Sequence, residues 1–349
     1  VFLKRLELVQ FKNHRQLVFD FSQKINIFIG KNGVGKTNIL DAIYYLSVFR
    51  SHLQSADQFN IGHGHEFFRL LGQFSDNYYM VIKYALRQKN IEIKGVKVTK
   101  YSEHFGHLPL VLSSPSDIFL LHDGSEERRK LLDYTISIYD KNYLIKLNEY
   151  NHFLNQRNAH LKTSEVIDSS LISYYDENLV SLGSYIFEQR KEAIRELGQY
   201  ITKWYQAIAL SHENITITYN SQLIEHDYLT LLRQRHEKDK ILKRSTVGIH
   251  RDDLKIEMFE IDIKKIASQG QQKSLLYSLR IAQAEFIGAK TGKKIIFLLD
   301  DFSDKLDEHR RTLLLNLMES LTFIEQWFIT DTSPASFNSC RSAKIWEIN

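Results

Sequence analysis

The sequence predicts an α/β fold in which a strand-rich head, residues 1–122 and 240–349, is split by a long helical insertion at residues 123–239. Three observations carry the prediction. Short apolar runs of strand length fill the first third of the chain and return beyond residue 248. Between them, residues 125–208 hold no proline, little glycine and long stretches of helical periodicity. Near the start, a glycine loop joins an apolar strand run directly to a helical pattern.

The elements follow in order. LKRLELVQF, LVFDF and KINIFIG, all within residues 1–30, alternate and then run apolar, which reads as three strands. Over residues 35–49, Ile39, Leu40, Ile43, Tyr44 and Leu46 recur at helical spacing. EFFRLLGQF and YYMVIKYAL return to strand texture with turn residues between them. Residues 125–208 then read as two long helices joined near Lys162–Asp168, an antiparallel pair. ITITYN is a strand, LTLLRQRHEKDKILKRS a basic helix, and SQGQQKSLLYSLRIAQ a small-polar loop opening an amphipathic helix. KKIIFLLDDF closes the series with a continuous apolar strand ending in two acids.

Composition bounds the function. The chain of 349 residues is long enough for about two domains, and 43% hydrophobic residues supply a large core. A net charge of +4 is too small to imply an anionic partner, so only local clusters can argue for one. Cys340 is the single cysteine, which excludes an internal disulfide and a cysteine-only metal site; it reads as a small packing side chain. Apolar runs such as residues 295–299 fall far short of the roughly 18–20 residues of a membrane helix. The opening residues from Val1 read as a strand rather than a leader, and a cytoplasmic protein without membrane contact is expected. His63 and His65 lie close together, but no third ligand is near and the segment reads as a polar loop.

Gly30, Lys31, Asn32, Gly33, Val34, Gly35, Lys36 and Thr37 fit G-x-x-x-x-G-K-[ST] without mismatch, with a strand before and a helix, from Asn38 on, after. In that pattern backbone N–H groups and the helix N-terminus cradle phosphates, which makes ATP the candidate ligand. Lys36 is placed to reach the β- and γ-phosphates, and Thr37 to offer its hydroxyl to Mg²⁺. Asp300 and Asp301, at the end of the IIFLL run, complete the set. Asp300 is the candidate to hold Mg²⁺ and Asp301 to orient or deprotonate the attacking water.

Ser268, Gln269, Gly270 and Gln271 resemble the L-S-G-G-Q signature motif of ABC-type ATPases and precede Asp300 as that superfamily's order requires. The resemblance implies that this loop caps the γ-phosphate held by a second copy, so that ATP drives homodimer formation. Lys36 and Ser268 lie much further apart than in transporter ATPases, which points to an SMC-like head.

Further stretches narrow the resemblance to one family. LKRLELVQFKNHRQLVFDF, LSSPSDIFLLHDGSEERRKLLD, LNEYNHFLNQRNAHLK, GIHRDDL and SQGQQKS are similar to the segments that mark the RecF family, and they span the chain. Ser125 and Ile249 replace its prolines, Lys273 replaces an arginine, and Asp304 stands before Lys305, Leu306 and Asp307 where the family has serine. The resemblance implies an ABC-type, SMC-like P-loop ATPase head. It further implies binding of gapped or junction DNA as an ATP-induced dimer, cooperation with RecR, RecO and RecA, and slow hydrolysis that resets the complex. Asp301 is one methylene shorter than the glutamate usual in ABC ATPases, in keeping with slow turnover. The densest basic stretch, Arg233, Arg235, Lys238, Lys240, Lys243, Arg244 and Arg251, is the candidate DNA contact, while His250 and Arg251 are alternatively placed to orient groups near the head. Two other readings stay open: an SMC-like ATPase subunit that powers another assembly without touching DNA, and a small-molecule kinase, which leaves SQGQQ and the insertion unexplained.

Overall fold

The structure, a computed structural model, describes residues 1–122, 124–163, 168–209, 213–303, 308–337, 340 and 343–349. The chain opens with strands β1 (Leu3–Phe11), β2 (His14–Asp20) and β3 (Ile25–Ile29) and helix α1 (Lys36–Val48). Next come β4 (Phe67–Phe74), β5 (Tyr79–Ala85), β6 (Gln88–Ile93), β7 (Val96–Lys97), the single turn α2 (Tyr101–His104) and β8 (Leu110–Ser113). Three helices follow, α3 (Ser125–Tyr139), α4 (Lys141–Thr163) and α5 (Ser169–Ala209). After them lie β9 (Ile215–Asn220), α6 (Tyr228–Leu242), β10 (Asp253–Met258), β11 (Ile261–Asp262) and the turn α7 (Ile263–Ile266). The chain ends with α8 (Gln269–Thr291), β12 (Ile295–Leu299), α9 (Glu308–Ser320), β13 (Ile324–Asp331) and β14 (Ala343–Glu347).

These elements form two compact units. The first comprises Val1–Asp117, Trp204–Ser211 and Gln269–Asn349, the second Ile118–Lys203 and His212–Ser268. The units are drawn differently from the expected head and insertion. Residues 240–268 go with the second because β10 pairs along its whole length with β9. The last turns of α5 go with the first, where the Trp204 indole donates to Glu285 of α8 at 2.6 Å.

The first unit is built on two sheets. An antiparallel sheet in the order β2-β1-β4-β5-β6-β7 buries one face, so Met80, Ile82 and Tyr84 of β5 point inward while Tyr79 and Lys83 face solvent. The second sheet is parallel, in the order β14-β3-β13-β12-β8. Its inner strands INIFI and IIFLL are buried along their whole length, as continuous apolar runs demand. Phe19 of the first sheet packs edge-on against Phe28 of the second at 5.4 Å, and buried Gln326 hydrogen-bonds Leu3 and Ser22 across the same seam. Because the strands run parallel, the loops after β3 and β12 emerge at one edge, separated by β13 alone.

In the second unit α4 and α5 lie antiparallel. Arg157 pairs with Asp176, while Tyr143, earlier on α4, meets Arg190, later on α5. The expected first long helix is two helices. Asp140 takes an extended backbone, φ −121° and ψ 99°, and its carboxylate accepts the Tyr143 N–H at 3.0 Å and the Tyr185 hydroxyl at 2.7 Å. An Asx cap thus ends α3 and starts α4. Arg190, only 2% exposed, donates to Asp133, Asp252 and the Ile249 carbonyl, fixing the GIHRDD segment inside this unit.

Candidate phosphate-binding site

The loop from Gly30 to Thr37 leaves the C-terminal end of β3 and enters α1. Gly35 caps the helix at φ +102°, where a Cβ would lie 2.3 Å from Asn13 Nδ2 and 2.6 Å from His14 Nε2. Those two side chains brace the loop from outside. Asn13 donates to the Val34 carbonyl at 2.9 Å and accepts from Asn38 Nδ2 at 2.7 Å. His14 Nε2–H donates to the Gly35 carbonyl at 2.9 Å, and burial pushes the ring below its ordinary pKa, which keeps it neutral. Lys36 folds back over the loop and donates to the carbonyls of Gly30 and Lys31 at 2.8 and 2.9 Å. The result is a preformed concave turn with a cation at its floor.

At the end of β12 the Asp300 carboxylate accepts the Thr37 hydroxyl at 3.0 and 3.1 Å and the Thr330 hydroxyl at 2.6 Å. The sheet register accounts for this meeting. Leu299 lies opposite Ile329, which leaves Thr330 of β13 beside Asp300. Burial raises the Asp300 pKa; neighbouring Asp301 pushes the same way, while Thr330, Thr37 and Lys36 pull it down. A buried carboxylate beside a hydroxyl is the oxygen pair that a hard divalent cation binds, so these residues fit Mg²⁺. Asp301 follows at φ +49°, its N–H donated to Thr330 Oγ1 at 2.8 Å. A cavity of about 210 Å³ opens beside Thr37 and Asp300, walled by Ser114, Ser116 and His52.

Sequence reasoning brought Lys36, Thr37, Asp300 and Asp301 to this edge and missed its supports. Asn13, His14 and Thr330 have no motif of their own. Nor does Asp41, which holds Lys12 Nζ at 2.5 Å, Ser51 Oγ at 2.6 Å and the His52 N–H at 2.6 Å. The signal for Asn13 was its place in the family-like Phe11-Lys12-Asn13 stretch.

Ser268 and Gln269 are exposed at the start of α8, followed by half-buried Gly270 and Gln271. Asp304, Lys305, Leu306 and Asp307 lie outside the described residues. On α6 and just beyond it, Arg233, Arg235, Lys238, Lys243 and Arg244 are exposed, while Lys240 pairs with Glu237. The helix is anchored by Asp239, fully buried and paired with equally buried Arg157 at 2.8 Å. His250 and Arg251 belong to the second unit, where both bond the Ser245 carbonyl. Burial lowers the His250 pKa to about 4. Among the described residues no helix is long and apolar enough to cross a membrane.

Residues 2–66 match the family described as RecF/RecN/SMC N terminal domain. Over 339 residues the chain is 42% identical to the DNA replication and repair protein RecF of Flavobacterium johnsoniae, covering 95% of this chain and 94% of that protein. RecF of Streptococcus agalactiae serotype V is 34% identical over 343 residues, with 95% and 92% covered. A solved structure of the recombination mediator protein RecF-ATPrS in the RecFOR pathway matches with TM-score 0.87 at 29% identity, over 100% of this chain and 96% of that one. The SmcHead bound to the C-winged helix domain of ScpA shares the fold, with TM-score 0.57 at 15% identity over 97% and 91%. The fold is therefore the SMC-like, ABC-type ATPase fold that the two loop motifs implied.

Proposed function

Because this chain belongs to the RecF family of DNA replication and repair proteins, we propose that it is an ATP-switched recombination mediator, which dimerises on binding Mg²⁺-ATP, engages gapped DNA and, with RecR and RecO, places RecA on single strands. The observation that carries this reading is the convergence of Lys36, Thr37 and Asp300 at one edge of the parallel sheet, with a second glycine-containing loop opening α8.

Lys36 exchanges the carbonyls of Gly30 and Lys31 for phosphate oxygens, and the braced loop amides take the remaining oxygens. Thr37 and Asp300 would hold Mg²⁺, which would supply neutralisation of phosphate charge. Asp301 orients the attacking water, with its backbone fixed by Thr330. Ser268 and the first amides of α8 cap the nucleotide of a second copy, so ATP favours the dimer over ADP. The exposed basic residues of α6 contact the DNA backbone without reading bases.

Sedimentation of the purified protein with Mg-ATP, Mg-ADP or no nucleotide, with and without gapped duplex, tests the reading. ATP-specific dimers that bind DNA and disappear in Ser268→Arg are expected. A monomer throughout, or dimers indifferent to ATP, would overturn it, and DNA binding absent from ATP-specific dimers would favour an ATPase that powers another assembly.

A further inference from the structure

We infer that Arg310 is a positioning residue for the signature loop, holding the first turn of α8 in the geometry that caps a second copy's nucleotide. This inference rests on the trans-capping role proposed above. Arg310 lies on α9, and its Nε donates to Ser274 Oγ at 3.0 Å. Ser274 is completely buried. The plane of the guanidinium lies against Gly270, since a Cβ built there would stand 3.0 Å from Nη1, 3.3 Å from Cζ and 3.3 Å from Nη2. Gly270 and Ser274 are one helical turn apart and share a stripe of α8, so a single side chain grips the turn at two points.

A cation is disfavoured beside the N-terminus of a helix, where the backbone already carries partial positive charge, and favoured at the C-terminus. Arg310 is packed against the N-terminal turn of a 23-residue helix. A phosphate arriving at that turn would meet the guanidinium beside the helix N-terminus, both of which favour an anion. The absence of a side chain at Gly270 is what admits the guanidinium at this distance, and Ser274 fixes the orientation of its plane. Arg310 therefore sets where the amides of Gly270 and Gln271 point and adds charge behind them, without forming part of the phosphate loop.

The test compares wild type, Arg310→Gln, Arg310→Lys, Gly270→Ala and the Gly270→Ala/Arg310→Gln double variant, with Ser268→Arg as control. Monomer affinity for a fluorescent ATP analogue and the ATP-induced dimer constant by sedimentation equilibrium are read separately. Arg310→Gln is expected to leave monomer affinity unchanged and to weaken the ATP dimer by up to roughly tenfold, the ceiling set by one lost hydrogen bond from a charged group and approached as the unbraced turn relaxes into shapes from which dimerisation must recover the capping one. Arg310→Lys, which keeps the charge and loses the plane, is expected to recover part of that loss. Gly270→Ala should weaken the dimer less in the Arg310→Gln background than alone, because the clash it makes is with the guanidinium. Wild-type dimerisation by Arg310→Gln, or strict additivity of the two substitutions, would overturn the inference and leave the function standing. Failure of wild type itself to dimerise with ATP would overturn both.

Discussion

Asn13→Ala tests whether the phosphate loop depends on its outside brace. Asn13 sits in the two-residue turn between β1 and β2 and holds the loop by one donated and one accepted hydrogen bond, at 2.9 and 2.7 Å. Each such bond has a net worth of about 0.5–1.5 kcal/mol. Asn13 is exposed, so water competes for both partners and the pair is worth about 1–2 kcal/mol. A bond present equally with and without nucleotide would leave the affinity untouched. Affinity falls only as far as the unbraced loop relaxes into other shapes, from which binding must recover the competent one. The full brace energy is then the ceiling, a weakening of about 5- to 30-fold. Titration of the monomer with a fluorescent ATP analogue reads this, and thermal unfolding verifies that the first unit stays folded. Asn13→Asp should be worse, because its carboxylate faces the Val34 carbonyl beside an anion site. Unchanged affinity in both variants would refute the view that these side chains shape the loop.

Other expectations follow from the same contacts. Asp300→Asn removes a buried carboxylate that burial holds above its ordinary pKa; Mg²⁺ dependence of nucleotide binding should be lost, read by metal titration, while the melting temperature without nucleotide at neutral pH holds or rises. Arg157→Met leaves Asp176 and Asp239 buried without their cation and should cost about 3–5 kcal/mol in urea unfolding. The Asp176 carboxyl is already raised by burial against the pull of Arg157. A raised folded-state pKa gives stability that is lost as pH rises through it, so the Arg157→Met defect should shrink from neutral toward mildly acidic pH, and an equal defect at both would count against it. Reversing Lys243 and Arg244 to glutamate should flatten the log-log salt dependence of DNA binding by roughly 2, about 0.9 for each phosphate no longer neutralised.

The parts of the site legible in the sequence are those whose information is local. Gly30–Thr37 specifies its own turn, and INIFI and IIFLL announce strands buried on both faces, which already places the loop and the two acids at one edge. Thr330 was illegible because its role depends on the register between β12 and β13, and no pattern within QWFITD marks which residue will face Asp300. Asn13 and His14 were illegible in role for a related reason: the β1–β2 hairpin must fold back before either meets Gly35. The break at Asp140 was readable in principle, since aspartate is a preferred N-cap, but apolar periodicity continues through it and outweighed the cap. Membership of β10 needed its pairing with β9, a contact between distant segments.

The same contacts say what kind of switch the site can be. Lys36 and the Thr37 hydroxyl already have protein partners, so a phosphate and a cation gain only the difference between new bonds and those they replace. Asp300 also has partners, the hydroxyls of Thr37 and Thr330, but both are neutral. Its carboxylate is held against desolvation by two hydroxyls and sits beside a second acid, an arrangement a divalent cation improves without breaking a better bond. The largest share of the gain in the first unit should therefore come from metal and nucleotide together rather than from nucleotide alone. On the proposed reading, a metal held by Thr37 and Asp300 would join the end of β12 to the phosphate loop. Loss of the γ-phosphate would then be felt at Asp300, Thr37 and the backbone of Asp301 together, because the Thr330 hydroxyl bonds both the Asp300 carboxylate and the Asp301 N–H.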